Sequence, residues 1–598
     1  MTSLPIRSRR ATEAEGPRMN REMEITAKMS LEDFPRLQRL RQALLEARTA
    51  LGVQRAKLIT EYYQKEGMDP QQPVLSQARA LAWLLGRLPT PVFDDELIVG
   101  STTEHRLGAL LYPEFMGLAI WPELPNLAFR SHDPVSITSE DAELLGNEVF
   151  PFWRDMTIHE ATRKKGDPMG SIAIGERMVF YLLAKSNGIS HIIPDFNVLV
   201  QRGLNSIIDE AAQLGAQASD RETREFHAAV QVALSGVVHF AERYATACEV
   251  AAHVASARRA AELREIAEIL RYVPANKPRN LHEALQAIWV TQVALHQENC
   301  DLALSFGRLD QILHPFYEME FQSRRLSERE AGELIGCFFV KMGDHTPLIP
   351  SAAQDLFGGS ATNQAVTIGG LLPDGSDGVN CLSLMLMKMA EILALREPNL
   401  CARVHGGSSH SYRRALVESI YQTGASPALY NDEPIVEGLV AYGLDAADAR
   451  DYGVIGCVET TSCGRTMGMT GAILLNLAAV LELTLSDGVH LRSRLRIGPP
   501  SGQLGCFNSF EELYRSFEVQ LDSLVALAND GNQRLAEAHA AVHPTPLLSA
   551  LINGTAESGR DVTRGGAKYN SSGVAVVGLA DVADSLTALK QGVFEQRR

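Results

Sequence analysis

The sequence predicts an α/β fold, and two observations carry that expectation. First, short β-type runs, "AVTIGGLL" (365–372), "NLCARVHG" (399–406), "ALYND" (428–432) and "YGVIGC" (452–457), are separated by helical segments such as "SYRRALVESIYQTG" (411–424). Strands that alternate with helices build parallel sheets, and so many such units point to a barrel. Second, neither an internal repeat nor a composition break marks a linker across the 598 residues. One large domain from 26 to 598 is therefore expected, behind a tail at 1–25.

That tail is rich in charge and small polar residues and reads as disordered. Ser30 and Asp33 have capping-box spacing, and Leu37, Leu40, Leu44, Ala47 and Leu51 line one helical face. "LSQARALAWLLGRL" (75–88) reads as a second helix, and "PTPVFDDELIVGS" (89–101) as a loop passing into a strand. A long helical region runs from about Thr223 to Val273 and stops near Pro274 and Pro278. "NLHEALQAIWVTQVALHQ" (280–297) is one more helix.

The totals exclude several classes. The formal charge of -16 disfavours nucleic acid and acidic membrane surfaces as partners. No apolar run reaches transmembrane length, and the N-terminus has no signal-type apolar segment. Eight cysteines without a CxxC pair point to a reducing, cytoplasmic setting and away from a zinc ribbon. Histidines are scattered, and "LHEAL" (281–285) imitates only half of a metal-binding motif. "FGGSATNQAVTIGG" (357–370), "HGGSSH" (405–410) and "RGGAKYNSSG" (564–573) match no nucleotide-binding pattern and are assigned to tight turns.

"GCVE" (456–459) is the candidate site. If the segment stays extended, Cys457 and Glu459 share a face, putting a thiol beside a carboxyl. A packing cysteine next to a surface Glu fits the residues equally well, and a Cys-nucleophile hydrolase would need a base that sequence cannot place. Cys463 is assigned to packing. Phe306-Gly307-Arg308 with Asp310, and Asn431-Asp432, are assigned to structural hydrogen bonding at strand ends.

Taken together, the chain resembles the glycyl radical enzymes, the pyruvate formate-lyase-like superfamily, from about residue 30 to its end. The resemblance is carried by "DDELIVGS" (94–101), "SFGRLDQILHPFY" (305–317), "EPNLCARVH" (397–405), "PALYNDE" (427–433), "DARDYGVIGCVE" (448–459), "LNLAAVLELTLSDG" (475–488) and "GGAKYNSSGVAVVGLADVADSLTALK" (565–590). It implies a ten-stranded α/β barrel surrounded by helices, with Cys457 on a finger loop in a dry, closed cavity. It also implies that Cys457 carries a transient thiyl radical and that Glu459 is the general acid/base. Gly456 stands where pyruvate formate-lyase has a second cysteine, which places the chain in the single-thiol branch of dehydratases, C–N and C–S lyases and decarboxylases. His191, Asp195, Asp301, Leu302 and Thr470 match substrate-pocket positions. Leu302 and Ala303 replace a polar pair of the diol dehydratases, and Gly471 an acidic residue, which leans slightly towards a decarboxylase or a less polar substrate.

The resemblance further implies a protein-based glycyl radical installed by a radical-SAM activase, with no bound cofactor or metal. No glycine loop of that type follows residue 590; "RVHGG" (403–407) lies in a different family segment. The barrel is therefore expected to be incomplete, with exposed edges. Expected partners are the activase, a small-molecule substrate, and a second copy or a complementary chain bearing the radical domain. The alternative is a catalytically inactive truncated homologue or scaffold pairing with a full-length relative.

Overall fold

The computed structural model describes residues 26, 28–115, 117–167, 169–175, 179–183, 188–298, 302–351, 353–354, 358–359, 361–468 and 472–596. The tail at 1–25 and the candidate residues Asp301 and Thr470, with Gly471, lie outside the described residues.

Thirteen short strands occur among these residues: β1 (Ala50–Gly52), β2 (Gly108–Leu110), β3 (Phe180–Leu182), β4 (His345–Pro347), β5 (Ala365–Gly369), β6 (Asn399–Val404), β7 (Ala428–Asn431), β8 (Tyr452–Ile455), β9 (Glu459–Ser462), β10 (Thr466–Met467), β11 (Ile473–Asn476), β12 (Tyr569–Asn570) and β13 (Val574–Val577). All four β-type runs named above are strands. β5, β6 and β7 pair in parallel, with Thr367 opposite Cys401 and Cys401 opposite Ala428. Single parallel bridges, Gly307 to Val366 and Leu304 to Ile192, extend this sheet by two further segments. The result is an arc of five parallel neighbours: 191–193, 303–307, β5, β6 and β7. β1, β2 and β4 form a second parallel group, and β11 lies between parallel β13 and antiparallel β3.

Helices cover the arc's outer face. Helices Leu309–Gln322 and Cys381–Leu393 pack on β5, and Phe306 meets Phe338 edge-on, which in turn meets Trp289. β5 is buried along its whole length, as a parallel strand covered on both faces should be. One apolar cluster runs from Phe34 to Leu586, so the first helices and the last share a core.

Several local expectations need correction. Ser30 and Asp33 do close a capping box, with the Ser30 N–H donating to Asp33 Oδ2 at 2.8 Å, but over a short 3₁₀ turn. The helix that follows, Pro35–Glu46, buries Leu37, Leu40 and Leu44 and ends before Leu51. Leu51 matches the helical spacing by coincidence; it lies on β1 in a separate cluster with Val53 and Tyr62. The helical region at 223–273 is two helices, Arg221–Ala252 and Ala257–Tyr272, because Ser256 caps a new start by accepting from the Arg259 N–H. "DELIVGS" forms no strand. The Gln286 side chain takes the place of a neighbouring strand, accepting from the Val99 N–H at 2.9 Å and donating to the Val99 carbonyl at 2.8 Å.

Candidate active site

β8 and β9 form an antiparallel hairpin whose last pair is Ile455 opposite Glu459. Gly456, Cys457 and Val458 make its turn. The segment is therefore not extended through Cys457, which corrects the shared-face expectation; the turn, rather than a strand face, brings Cys457 and Glu459 together. Gly456 has φ +55°, and a Cβ there would meet the His191 ring at 2.8 Å and the Ala303 methyl at 3.0 Å. Only glycine fits both the backbone and the space. His191 (φ +57°) and Ala303 (φ +55°) are left-handed as well, so three such residues meet at one point. Backbone strain of this kind persists where its surroundings fix it, and it gathers at functional sites.

The arc holds the hairpin with alternate residues, as the two-residue period of a strand requires. From 303–307, Ser305 Oγ accepts from the Gly456 N–H at 3.3 Å. From β5, Thr367 Oγ1 accepts from the Val454 N–H at 2.9 Å. From β6, Asn399 Nδ2 donates to the Gly456 carbonyl at 2.6 Å, and Arg403 Nη1 to the Tyr452 carbonyl at 2.9 Å. From β7, the Tyr430 hydroxyl donates to the Cys457 carbonyl at 3.3 Å. The base of the hairpin is fixed by charge. Asp432 takes Arg403 Nε and Nη2 at 2.8 and 2.9 Å and the Tyr452 hydroxyl at 2.8 Å, with both charges fully buried. Arg308 and Arg465 hold Asp451 at 3.1 and 2.9 Å.

At the tip, Glu459 Oε1 stands 4.0 Å from His191 Nε2, and His191 Nδ1 is 3.0 Å from Ser190 Oγ. Burial lowers the His191 pKa against the pull of Glu459, which favours the neutral ring. The Cys457 thiol pKa is raised, first by the surrounding protein and then by the Glu459 and Glu397 carboxylates, which favours S–H over thiolate. Glu397 is buried, accepts from the Thr362 hydroxyl (2.9 Å) and the Asn363 and Gln364 N–H groups (2.7 and 3.0 Å), and is pushed up to about 7 by burial.

The closed cavity expected around Cys457 is not formed by the described residues: Cys457 is exposed, and Val458 beside it is 65% exposed. Of the remaining candidates, Leu302 is buried, and its carbonyl accepts from the His191 N–H at 3.2 Å. Asp195 lies elsewhere. It caps helix Phe196–Arg202 by accepting from the Val198 N–H at 3.0 Å, backs onto Gly464, and lines a cavity with Arg202, Glu210 and His227. Its "PDF" context signals a helix cap, which explains its position without substrate. Cys463 packs against Gly307 at the hairpin base, its thiol pushed up to about 12 by burial. Asp310 and Asp432 have the structural roles expected of them. Sequence reasoning missed Ser305, Asn399 and Tyr430. Their signal was alternation within "SFGR", "NLCARV" and "ALYN", which becomes informative only once the hairpin is known to lie across those strands.

Residues 25–598 match the family model described as "Pyruvate formate lyase-like". Trans-4-hydroxy-L-proline dehydratase from Clostridioides difficile is 30% identical over 575 residues, covering 94% of this chain and 72% of the relative. Isethionate sulfite-lyase from Nitratidesulfovibrio vulgaris is 30% identical over 584 residues, covering 92% and 69%. A glycyl radical enzyme structure from Archaeoglobus fulgidus superposes with a TM-score of 0.89 at 33% identity, covering 94% and 72%. The chain belongs to the pyruvate formate lyase-like family of glycyl radical enzymes, and its fold is the glycyl radical enzyme barrel. Its relatives are dehydratases and lyases, and the scaffold alternative finds no support among them. Members of the family use radical-SAM activases and small-molecule substrates. Among the described residues, no helix is long and apolar enough to cross a membrane.

Proposed function

We propose that this chain is a radical lyase of the dehydratase or C–S lyase type, acting on a small organic substrate through Cys457. The observation that carries the reading is the hairpin tip. Cys457 lies on a strained glycine turn two residues from Glu459, whose carboxylate stands 4.0 Å from the buried His191 imidazole, and four parallel segments hydrogen-bond the hairpin in place.

The chemistry that a family glycyl radical supplies is one-electron activation of the Cys457 thiol. The tip residues fit that role. The thiol is held protonated, so a hydrogen atom is available on sulfur. Among the described residues its side chain is exposed. Cys457 then takes a hydrogen atom from a substrate C–H, becoming a thiol again and leaving a carbon radical. Glu459, beside it, moves the proton that the adjacent hydroxyl or leaving group requires. Loss of the leaving group gives a product radical, and the Cys457 S–H returns its hydrogen atom, so atoms balance over the cycle. His191, buried 4.0 Å from Glu459, is placed to act on the same substrate group as that carboxylate.

The relatives favour C–O or C–S cleavage. The lean towards a decarboxylase rests only on apolar Leu302 and Ala303. The test is an anaerobic assay with an activase and a source of the glycine radical, run over hydroxylated and sulfonated two- and three-carbon substrates. Turnover lost in Cys457→Ala, and reduced about 10²- to 10⁴-fold in Glu459→Gln, is expected. Turnover that Cys457→Ala leaves intact contradicts the proposal.

A further inference from the structure

Away from the hairpin, the outer helices bring three metal-binding groups together. On helix Leu309–Gln322, Asp310, His314 and Glu318 recur every four residues and share one face. Asp310 has a structural use: its Oδ2 accepts from Ser383 Oγ at 2.6 Å and from the Gly369 N–H at 2.7 Å, while its carbonyl accepts from Asn380 Nδ2 at 3.3 Å. Asn380 also caps helix Cys381–Leu393, its Oδ1 accepting from the Leu382 and Ser383 N–H groups. These bonds staple the start of one helix to the face of the other. Cys381, the first residue of the second helix, is thereby set against His314 and Glu318. An imidazole nitrogen, a carboxylate oxygen and a sulfur lie within 4.8 Å of one another. Cys381 is buried, and His314 and Glu318 are half-buried. Glu318 Oε1 accepts from Gln322 Nε2 at 2.5 Å, an outer contact that orients the carboxylate.

We propose that His314, Glu318 and Cys381 bind a divalent cation of the zinc class, with water in the fourth position. The donor set decides the class. Magnesium and calcium take oxygen ligands, whereas a thiolate with an imidazole and one carboxylate suits the borderline-soft Zn²⁺ and Co²⁺. Zinc–ligand bonds of about 2.0–2.3 Å place tetrahedral ligands closer together than 4.8 Å, so side-chain rotation closes the site while the stapled helices stay fixed. On binding, Cys381 gives up its S–H proton to solvent and the sulfur donates to the metal. The competing reading is a hydrogen-bonded trio with no metal affinity.

The test uses the full chain, metal-free, with Cys300→Ser and the exposed thiols of the described residues removed as Cys457→Ser and Cys506→Ser, titrated anaerobically with Co²⁺. One cobalt per chain is expected, with a near-ultraviolet thiolate-to-cobalt band, release of protons, and displacement by Zn²⁺. Cys381→Ser abolishes the band, His314→Ala removes saturable binding, and Gln322→Ala weakens binding about tenfold or more. A parent chain without the band, or a band that survives Cys381→Ser, overturns the site. Should Cys381→Ser fail to fold by circular dichroism, His314→Ala decides, and unchanged affinity there overturns it.

Discussion

Gly456 concentrates the demands of the site in a single residue. Its φ of +55° costs any L-residue about 1–2 kcal/mol, and the space for a Cβ is taken by the His191 ring and the Ala303 methyl. Gly456→Ala should therefore lower unfolding stability by more than the backbone cost alone. It should also shift the rate at which Cys457 reacts with a thiol reagent, because the turn moves. Urea unfolding and stopped-flow thiol labelling check both, and a neutral substitution would remove the strained turn from the account. Of the residues at this tip, the sequence pointed to Cys457 and Glu459, and the family resemblance to His191. It did not show that Asp195 turns towards its own helix, since a helix cap and a substrate ligand present the same residue type before "F-x-x-L".

Where elements meet, the buried Arg403–Asp432 pair ties β6 and β7 to the base of the hairpin. Asp432→Asn leaves the guanidinium buried without its counter-charge and should cost about 3–5 kcal/mol, with Cys457 labelling accelerated as the hairpin loosens. Denaturant melts of the variant measure the first effect. A second prediction concerns β13, the outermost strand of its sheet among the described residues, where Val574, Val576 and Val577 are each 42–48% exposed. A free edge with apolar side chains templates association, and a lysine there blunts it. Val576→Lys should raise the concentration at which the chain aggregates, as read by light scattering, without lowering its melting temperature. At this scale the sequence was most legible. β5 to β8 and the helices between them followed from residue pattern, since short β-type runs alternate with helical segments; β5, buried along its whole length, reads as a continuous apolar run. The short strands β10 and β12 and the single-bridge segments at 192 and 304 did not, since two-residue pairings carry no periodicity. "DELIVGS" misled for the opposite reason: it has strand composition, but a glutamine side chain bonds its backbone.

Over the whole molecule, burial couples stability to pH. Glu298 accepts from the Leu547 and Leu548 N–H groups and is pushed up to about 8 by burial; Glu397 is pushed up to about 7. Both hold protons in the folded chain that the unfolded chain releases near 4.5. The folded state therefore binds more protons between about pH 4.5 and 8, and its stability falls as pH rises through that window. Glu298→Gln should flatten the upper part of this slope, as followed by melting temperature against pH; an unchanged slope would show that Glu298 does not titrate there. The family resemblance supplied the barrel, and the structure supplied what composition cannot, the direction each inward residue faces. The proposed activity requires Cys457 to exchange hydrogen with carbon. The most direct measurement is activated turnover of substrate deuterated at the carbon that gives up hydrogen, with mass analysis of product. Deuterium that has left that carbon, moved to the neighbouring product carbon or lost to solvent through the Cys457 S–H, with no product from Cys457→Ala, is the predicted result; product that keeps all its deuterium at the original carbon, or turnover retained by Cys457→Ala, would contradict it.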